Sequence, residues 1–248
     1  MIKLLACDVD GTLLPGGDTA VCSDTINILE KFISKNVNIA IASGRSYGDL
    51  KALFGNLSEE PYFICHDGAL CIKHGKELYR KSVSLQSITD FASKYSGTYK
   101  CTAFYASKVC YVIGDASYAA KENTINIKNF REIKEPLYKL AVYDGKDVNI
   151  PQFTAMPFGL RVCSHSNGCI EYVPAFANKG IALRDVQSRL FLTEFDTAAI
   201  GNDTNDIKMF KSAKYSGAVL PCEDNVMSAA DITVQNANEF LYGLLKTL

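Results

Sequence analysis

Strand, helix and strand follow one another within the first 42 residues, and that order leaves few folds open. Residues 4–7 are an apolar run of strand length. After a turn-rich Pro15-Gly16-Gly17-Asp18, Ser23 reads as a helix N-cap. Ile26, Leu29, Phe32 and Ile33 then recur at helical spacing to about Lys35. Residues 37–42, Val-Asn-Ile-Ala-Ile-Ala, read as a second buried strand. A βαβ unit of this length predicts a parallel sheet with a right-handed crossover. Such sheets bind ligands outside the carboxyl ends of their strands. The first strand runs into Asp8-Val9-Asp10-Gly11-Thr12 at that end. In extended backbone residues i and i+2 point the same way. Two carboxylates held that close repel unless a cation or a shared proton relieves them. Gly11 lets the chain turn directly after them. Alone, Asp-x-Asp-Gly is also an ordinary strand-to-turn junction, so the rest of the chain has to decide.

The second strand ends on Ser43-Gly44-Arg45, followed by a helical stretch over 46–54. A third strand, 62–65, ends on His66-Asp67-Gly68-Ala69. Two strand-like runs, 70–73 and 77–83, join through His74-Gly75 as a hairpin. The texture then changes. A helix over 87–95, a hairpin of 99–105 with 108–113, a short helix over 117–123, a strand over 137–143 and a hairpin of 158–164 with 169–173 through Asn167-Gly168 suggest an α+β module. From Asn178 the alternation returns: a helix over 179–190, a strand over 197–200 running into Gly201-Asn202-Asp203-Thr204-Asn205-Asp206, and further helices and short strands to the C-terminus. The expected organisation is a discontinuous α/β core, residues 1–82 and 175–248, with an α+β domain of residues 83–174 inserted into it.

Bulk properties narrow the function. The 248-residue chain is 48% hydrophobic and 21% charged, with a net charge of −1. That is the profile of a globular protein with no basic face for nucleic acid or an anionic membrane surface. The apolar run before Asp8 is too short for a signal-peptide core, and no run approaches a membrane span. Nine cysteines without Cys-x-x-Cys spacing and only three histidines give zinc little support. The expectation is a cytoplasmic protein with mostly reduced, buried cysteines, monomeric or a small homo-oligomer.

Four stretches end core strands or begin core helices: 8–12, 43–45, Lys179, and 201–206. They collect carboxylates, a hydroxyl, an ammonium and an acidic loop. That is the inventory for phosphoryl transfer to a carboxylate with Mg²⁺, which takes oxygen ligands and keeps several waters. The cation, a lysine and neutral donors screen the anionic phosphate from the attacking carboxylate. A neighbouring carboxylic acid can protonate the leaving oxygen and later activate water.

Asp8-Val-Asp-Gly-Thr, Ser43-Gly-Arg, Asn178-Lys179-Gly180 and Gly201-Asn-Asp-Thr-Asn-Asp-Ile207 resemble, in order, the four motifs of the haloacid dehalogenase (HAD) superfamily, most closely its Cof-type, subclass IIB phosphatases. The resemblance implies a Rossmann-like parallel-sheet core with an inserted α/β cap that selects substrate, and a Mg²⁺-dependent phosphatase acting on a small phosphorylated metabolite, with sugar phosphates the expected class. The 135 residues between Ser43 and Lys179 agree with a cap at that point. By the resemblance Asp8 is the nucleophile, Asp10 the general acid and base, Ser43 a phosphoryl hydrogen-bond donor, and Lys179 the charge that offsets the phosphate. Gly44, Arg45, Asp67 and Asn205 are the expected substrate contacts. Magnesium would sit on Asp8, the Asp10 carbonyl and the acidic loop.

This chain departs from the family at two places. Asn202 stands where the family usually has the aspartate that ligates metal. Two arrangements stay open: Asn202 ligates through its amide oxygen, or the loop shifts so that Asp203 does, with Asp206 a direct or water-mediated partner. Asp67 stands where the family commonly has asparagine, and together with His66 could reach the leaving group. Within the inserted domain, Phe158, Arg161, His165 and Asn167 could touch substrate, though each has an ordinary structural reading. A Cys-x5-Arg loop, a Gly-x-Ser-x-Gly elbow, a Walker A loop and Gly-x-Gly-x-x-Gly are all missing from the sequence. The competing readings are a phosphomutase, which would return the phosphate to substrate, and a non-catalytic binder of phosphometabolites.

Overall fold

A computed structural model describes residues 1–16, 19–119, 123–145, 159–166 and 168–248. The chain divides into two compact units. One comprises Met1–Arg45, Asp49–Tyr79 and Asn178–Leu248, the other Ser46–Gly48 and Arg80–Ala177.

In chain order the elements are β1 (Leu4–Asp8), α1 (Ser23–Ser34), β2 (Asn38–Ala42), α2 (Tyr47–Phe54), β3 (Tyr62–Cys65), β4 (Leu70–Lys73), β5 (Lys76–Arg80), α3 (Leu85–Tyr95), β6 (Cys101–Tyr105), β7 (Cys110–Gly114), β8 (Thr124–Asn126), β9 (Lys139–Tyr143), β10 (Leu160–Ser166), β11 (Cys169–Pro174), α4 (Lys179–Arg189), β12 (Thr197–Gly201), α5 (Ile207–Phe210), β13 (Tyr215–Val219), α6 (Asp224–Met227), β14 (Ile232–Val234) and α7 (Ala237–Leu245). The helix expected from a Ser23 cap does begin there, but Cys22 is the N-cap and Ser23 is already helical. Of the short helix expected over 117–123, residues 120–122 lie outside the described residues and the described part holds a 3-10 turn, Ala116–Tyr118; β8 is a strand too short and polar to announce itself.

The sheet of the first unit runs β14-β13-β12-β1-β2-β3-β4-β5 among the described residues. From β14 to β3 every pairing is parallel, and β4 turns back antiparallel to β3. Strand β1 is buried along its whole length, as a strand covered on both faces must be. Leu4 and Ala6 pack with Ala182, Leu183 and Val186 of α4 and with Met209 and Phe210 of α5. Helix α1 buries Ile28, Leu29 and Phe32, and α7 buries Phe240, Leu241 and Leu244. Successive strands leave β1 in opposite directions, β2 and β3 to one side and β12, β13 and β14 to the other. The switch point, where such sheets bind ligands, therefore lies between the carboxyl ends of β1 and β12.

Close packing sets the approach of α4 to α5. A Cβ at Gly180 would lie 2.2 Å from the Lys208 carbonyl oxygen. Gly180→Ala therefore has to push two backbones apart, at a cost of about 1–3 kcal/mol. Urea unfolding of the variant should show that loss, and an unchanged midpoint would contradict the packing.

Among the described residues the second unit has its own sheet, β10-β11-β9-β6-β7-β8, antiparallel except for the parallel β7–β8 pair. Phe91 and Tyr95 of α3 pack on Phe104, Leu140, Val142, Ile170 and Tyr172. The buried Lys139 pairs with the partly exposed Glu171 at 3.0 Å. Of the residues suggested for substrate contact here, Arg161 spends its guanidinium on backbone carbonyls, donating to Ala177 at 2.9 and 2.6 Å and to Val162 at 3.2 Å. It fastens the end of the unit. His165 lies on β10, and Phe158 and Asn167 lie outside the described residues.

Candidate active site

Asp8 is the last residue of β1 and only 4% exposed. The chain curls at once behind it. Thr12 and Leu14 donate backbone N–H groups to the Val9 carbonyl, and Gly11 takes a left-handed φ of 81°. The curl returns Thr12 to the strand end, where its hydroxyl donates to Asp8 Oδ2 at 2.8 Å. Asp8 Oδ1 accepts from Lys179 Nζ at 2.6 Å.

Lys179 is the first residue of α4, after Asn178 caps the helix by accepting from the Ile181 N–H. A cation at a helix N-terminus opposes the dipole, and this one is also buried, with only 1% of the residue exposed. Carboxylates compensate. Nζ donates to Asp8 Oδ1, to Asp206 Oδ1 at 2.7 Å and to Asn205 Oδ1 at 3.3 Å, using all three of its protons. Burial alone would depress the lysine, but the charges of Asp206, Asp8 and Asp67 outweigh it and hold the ammonium well above the ordinary lysine value. Asp8 moves the other way from a free carboxylate. Burial, then the Asp206 charge, pushes it up to about 7 against the pull of Lys179 and Thr12. One ammonium shared by two buried carboxylates cannot fully satisfy both.

Asp10 occupies a different environment. Strand geometry ends at Asp8, so the expected side-by-side pair of carboxylates does not form a shared site; each has its own cation. The Asp10 side chain is 55% exposed and is gripped by Arg45, with Nε at 3.1 and 3.0 Å from its two oxygens and Nη2 at 2.6 Å from Oδ1. Burial raises this carboxyl, but the Arg45 hydrogen bonds and charge, with Ser43, overcome it and leave Asp10 below the usual carboxylate value. Ser43, fully buried, accepts from the Arg45 N–H at 3.1 Å, and its hydroxyl faces Asp10 Oδ2 at 3.4 Å.

The acidic loop gives its two candidate ligands different places. Asn202, not Asp203, faces Asp8. The exposed Asp203 turns its carboxylate onto the N–H and hydroxyl of Thr204. Asp206 is fully buried, and both its oxygens are engaged: Oδ1 by Lys179, Oδ2 by the N–H groups of Asn202 and Asp203, each at 3.0 Å. It shapes the loop instead of presenting a free oxygen.

The Asn202 amide meets three oxygens. One end lies 3.1 Å from Thr12 Oγ1, 3.2 Å from Asp8 Oδ2 and 3.0 Å from the Asp10 carbonyl. With nitrogen at that end, the amide's two N–H groups face three acceptors. With oxygen there, Asp8, Asp10 and Asn202 present three oxygens to one another, an arrangement that a cation among them makes favourable. Octahedral Mg²⁺ with bonds of about 2.1 Å places adjacent ligand oxygens about 3.0 Å apart, so the donor set fits this ion. Among the described residues no three His, Cys, Asp or Glu side chains cluster as a metal site; the set here is one carboxylate, one peptide carbonyl and one amide.

Asp67 and Asn205, expected to touch substrate, are hydrogen-bonded to each other: Asn205 Nδ2 donates to Asp67 Oδ1 at 2.9 Å. Asp67 is buried, and so is His66 beside it. Gly44 makes room for Asp67, since a Cβ there would lie 3.1 Å from Asp67 Oδ2. Cys7 is a core residue whose thiol burial pushes far up, so it is inert. Thr12, which joins Asp8 to Asn202, was not singled out from the sequence. Its signal was the hydroxyl closing the Asp-x-Asp-Gly-Thr run.

The sequence profile of the haloacid dehalogenase-like hydrolases matches residues 5–248. The chain belongs to this family. It is 22% identical over 242 residues to the 5-amino-6-(5-phospho-D-ribitylamino)uracil phosphatase YbjI of Escherichia coli, covering 92% of this chain and 89% of that one. It is 26% identical over 253 residues to phosphoglycolate phosphatase 1 of Saccharolobus solfataricus, covering 99% and 97%. Among solved structures, a haloacid dehalogenase-like hydrolase from B. subtilis superposes with a TM-score of 0.82 at 19% identity, covering all of both chains. That likeness concerns the fold alone, a mixed α/β architecture with a Rossmann-like parallel-sheet core. No helix among the described residues is long and apolar enough to cross a membrane.

Proposed function

We propose that this hydrolase is a Mg²⁺-dependent phosphatase of small phosphorylated metabolites, with sugar phosphates as the expected class, and that it works through phosphorylation of Asp8. The observation that carries the reading is Asp8 itself. It is a buried carboxylate at the switch point, with one oxygen on Lys179 and the other beside Thr12 and Asn202. The curated relatives named above are phosphatases. Asp8 Oδ2, the Asp10 carbonyl and the Asn202 amide oxygen would hold the cation, which supplies charge that draws the phosphate towards the carboxylate and stabilises its oxygens.

The remaining chemistry falls to the chain's own residues. An Asp8 oxygen attacks phosphorus while the bond to the leaving oxygen breaks. Asp10, exposed enough to exchange protons with solvent, gives that oxygen a proton. Substrate oxyanions compete for Arg45 and so free Asp10 to carry it. Asp10 then takes a proton from a water that attacks phosphorus, the bond to Asp8 breaks, and phosphate leaves. Lys179 and Ser43 offset charge and orient oxygens throughout. Substrate selection is assigned to the inserted unit, as in the arrangement the motifs resemble.

The test is phosphate release from a broad panel of phosphorylated metabolites, sugar phosphates included, with Mg²⁺ and again with chelator. The expected result is release from one group of compounds that falls at least 100-fold with chelator. Transfer of phosphate back to substrate without free phosphate would replace hydrolysis by mutase chemistry. Tight binding of a phosphorylated compound without turnover would make the protein a binder.

A further inference from the structure

The turn carrying Asp67 takes no part in the steps above, yet it is built at a conformational cost. His66 (φ 48°) and Asp67 (φ 54°) are consecutive non-glycine residues in the left-handed region, and both are buried. Such strain persists only where the surroundings over-determine it, and it gathers at functional sites. Here the surroundings are the site itself. The His66 N–H donates to the Arg45 carbonyl and the Asp67 N–H to the Ser43 carbonyl, both at 3.0 Å. Gly68 (φ 89°) sits so close to α4 that a Cβ would lie 2.2 Å from the Asn178 carbonyl oxygen. The turn is therefore tied both to the Ser43–Arg45 segment and to the residue preceding Lys179.

What it delivers there is one carboxylate. Asp67 Oδ1 takes the amide N–H of Asn205, and Asn205 Oδ1 lies 3.3 Å from Lys179 Nζ. An asparagine amide has a donor end and an acceptor end. A carboxylate is acceptor-only, so it admits one orientation of Asn205: nitrogen towards Asp67, oxygen towards the ammonium. That oxygen is the third acceptor of Lys179, beside Asp8 and Asp206. The Asp67 charge also favours the ammonium directly.

We propose that Asp67 is a positioning residue: acting through Asn205, it locks the Lys179 ammonium onto Asp8. The part that concerns turnover rests on the phosphatase reading above; the positioning itself does not. Asp67 is thus a residue this chain uses to hold its lysine, not one that meets substrate.

The test has two arms. In ¹⁵N-labelled protein without substrate, a locked, saturated ammonium exchanges its protons slowly and gives a Lys179 Nζ–H resonance, assigned by its loss in Lys179→Arg. Asp67→Ala should broaden that resonance away or speed its exchange at least tenfold. Asn205→Ala should do the same. Asp67→Asn, nearly isosteric, should be intermediate, and it carries the test if Asp67→Ala does not fold. In the turnover arm, Asp67→Ala should lower kcat about 100-fold with KM within threefold, and the Asp67→Ala/Asn205→Ala double variant should lose little more, because the two act in series. An unchanged Lys179 signal in both Asp67 variants overturns the proposal. So does a rise in KM at constant kcat, which would make Asp67 a substrate contact. If the wild-type protein releases no phosphate from any compound, the phosphatase reading fails, and the resonance alone decides the role of Asp67.

Discussion

Lys179→Met is expected to abolish the proposed phosphate release and to destabilise the protein by about 3–5 kcal/mol near neutral pH, the usual cost of removing one partner from a buried ionic cluster. The side chain it replaces is almost wholly buried and is the ammonium in contact with both Asp8 and Asp206. Methionine fills similar volume, so the loss comes from charge and hydrogen bonding, not from a cavity. Two buried carboxylates then face each other without a counter-charge. The protein can relieve them by protonating one, so the deficit should shrink as pH falls towards 4. Asp206 would keep its hydrogen bonds from the Asn202 and Asp203 N–H groups, which limits the collapse of the loop. Urea unfolding at pH 7.5 and at pH 4.5, together with phosphate release, checks both halves. A loss below 1 kcal/mol at pH 7.5 would mean that Lys179 is not the counter-charge of this cluster.

Asp8→Asn should also end turnover, by at least 10⁴-fold, because an amide is no nucleophile towards phosphorus, but its effect on stability has the opposite sign. Folding raises the Asp8 carboxyl from 3.8 to about 7. A folded-state pKa above the unfolded one means that the protonated carboxyl favours folding below the unfolded value and that this support is lost as pH rises through about 7. Each tenfold change in proton affinity corresponds to about 1.4 kcal/mol, so ionised Asp8 costs the metal-free protein on the order of a few kcal/mol above pH 7. Asparagine removes that charge, keeps an oxygen for Lys179 and an N–H for neighbouring oxygens, and leaves one ammonium to one carboxylate. Thermal unfolding in chelator should therefore place Asp8→Asn several degrees above wild type at pH 8, with the gap closing towards pH 4. Added Mg²⁺ should narrow it from the wild-type side. If the variant is less stable at pH 8, Lys179 satisfies Asp8 better than its burial allows.

The two substitutions bracket one idea. On the proposed phosphatase reading, a nucleophilic carboxylate kept dry and short of counter-charge is poorly stable and reactive for the same reason, and stability is recovered only by giving up the reaction.

Much of this was legible in the residues. The apolar runs at 4–7, 37–42 and 62–65 and the helical spacing of Ile26, Leu29 and Phe32 specify parallel strands with a crossover, because burial on both faces and a 3.6-residue period leave local marks. Asp8, Ser43, Lys179 and the 201–206 loop were marked by their place at strand and helix ends. Less was legible where contacts decide. Strand β8 has no local signature, and β7 creates it by pairing with it. The spacing of Asp8 and Asp10 suggested a shared pair, whereas the curl after β1 sends one to Lys179 and the other to Arg45.

By itself, then, the sequence determined the parallel α/β core, the order of its elements and the chemical inventory at its carboxyl edge, since periodicity and strand-end position are properties of neighbouring residues. Tertiary structure alone decided the partners: Asn202 and not Asp203 beside Asp8, Arg45 on Asp10, and Asp67 on Asn205. Those choices depend on which loop ends meet across the β1–β12 switch point and on how far each carboxylate is removed from water. Both are set by contacts between residues far apart in the chain.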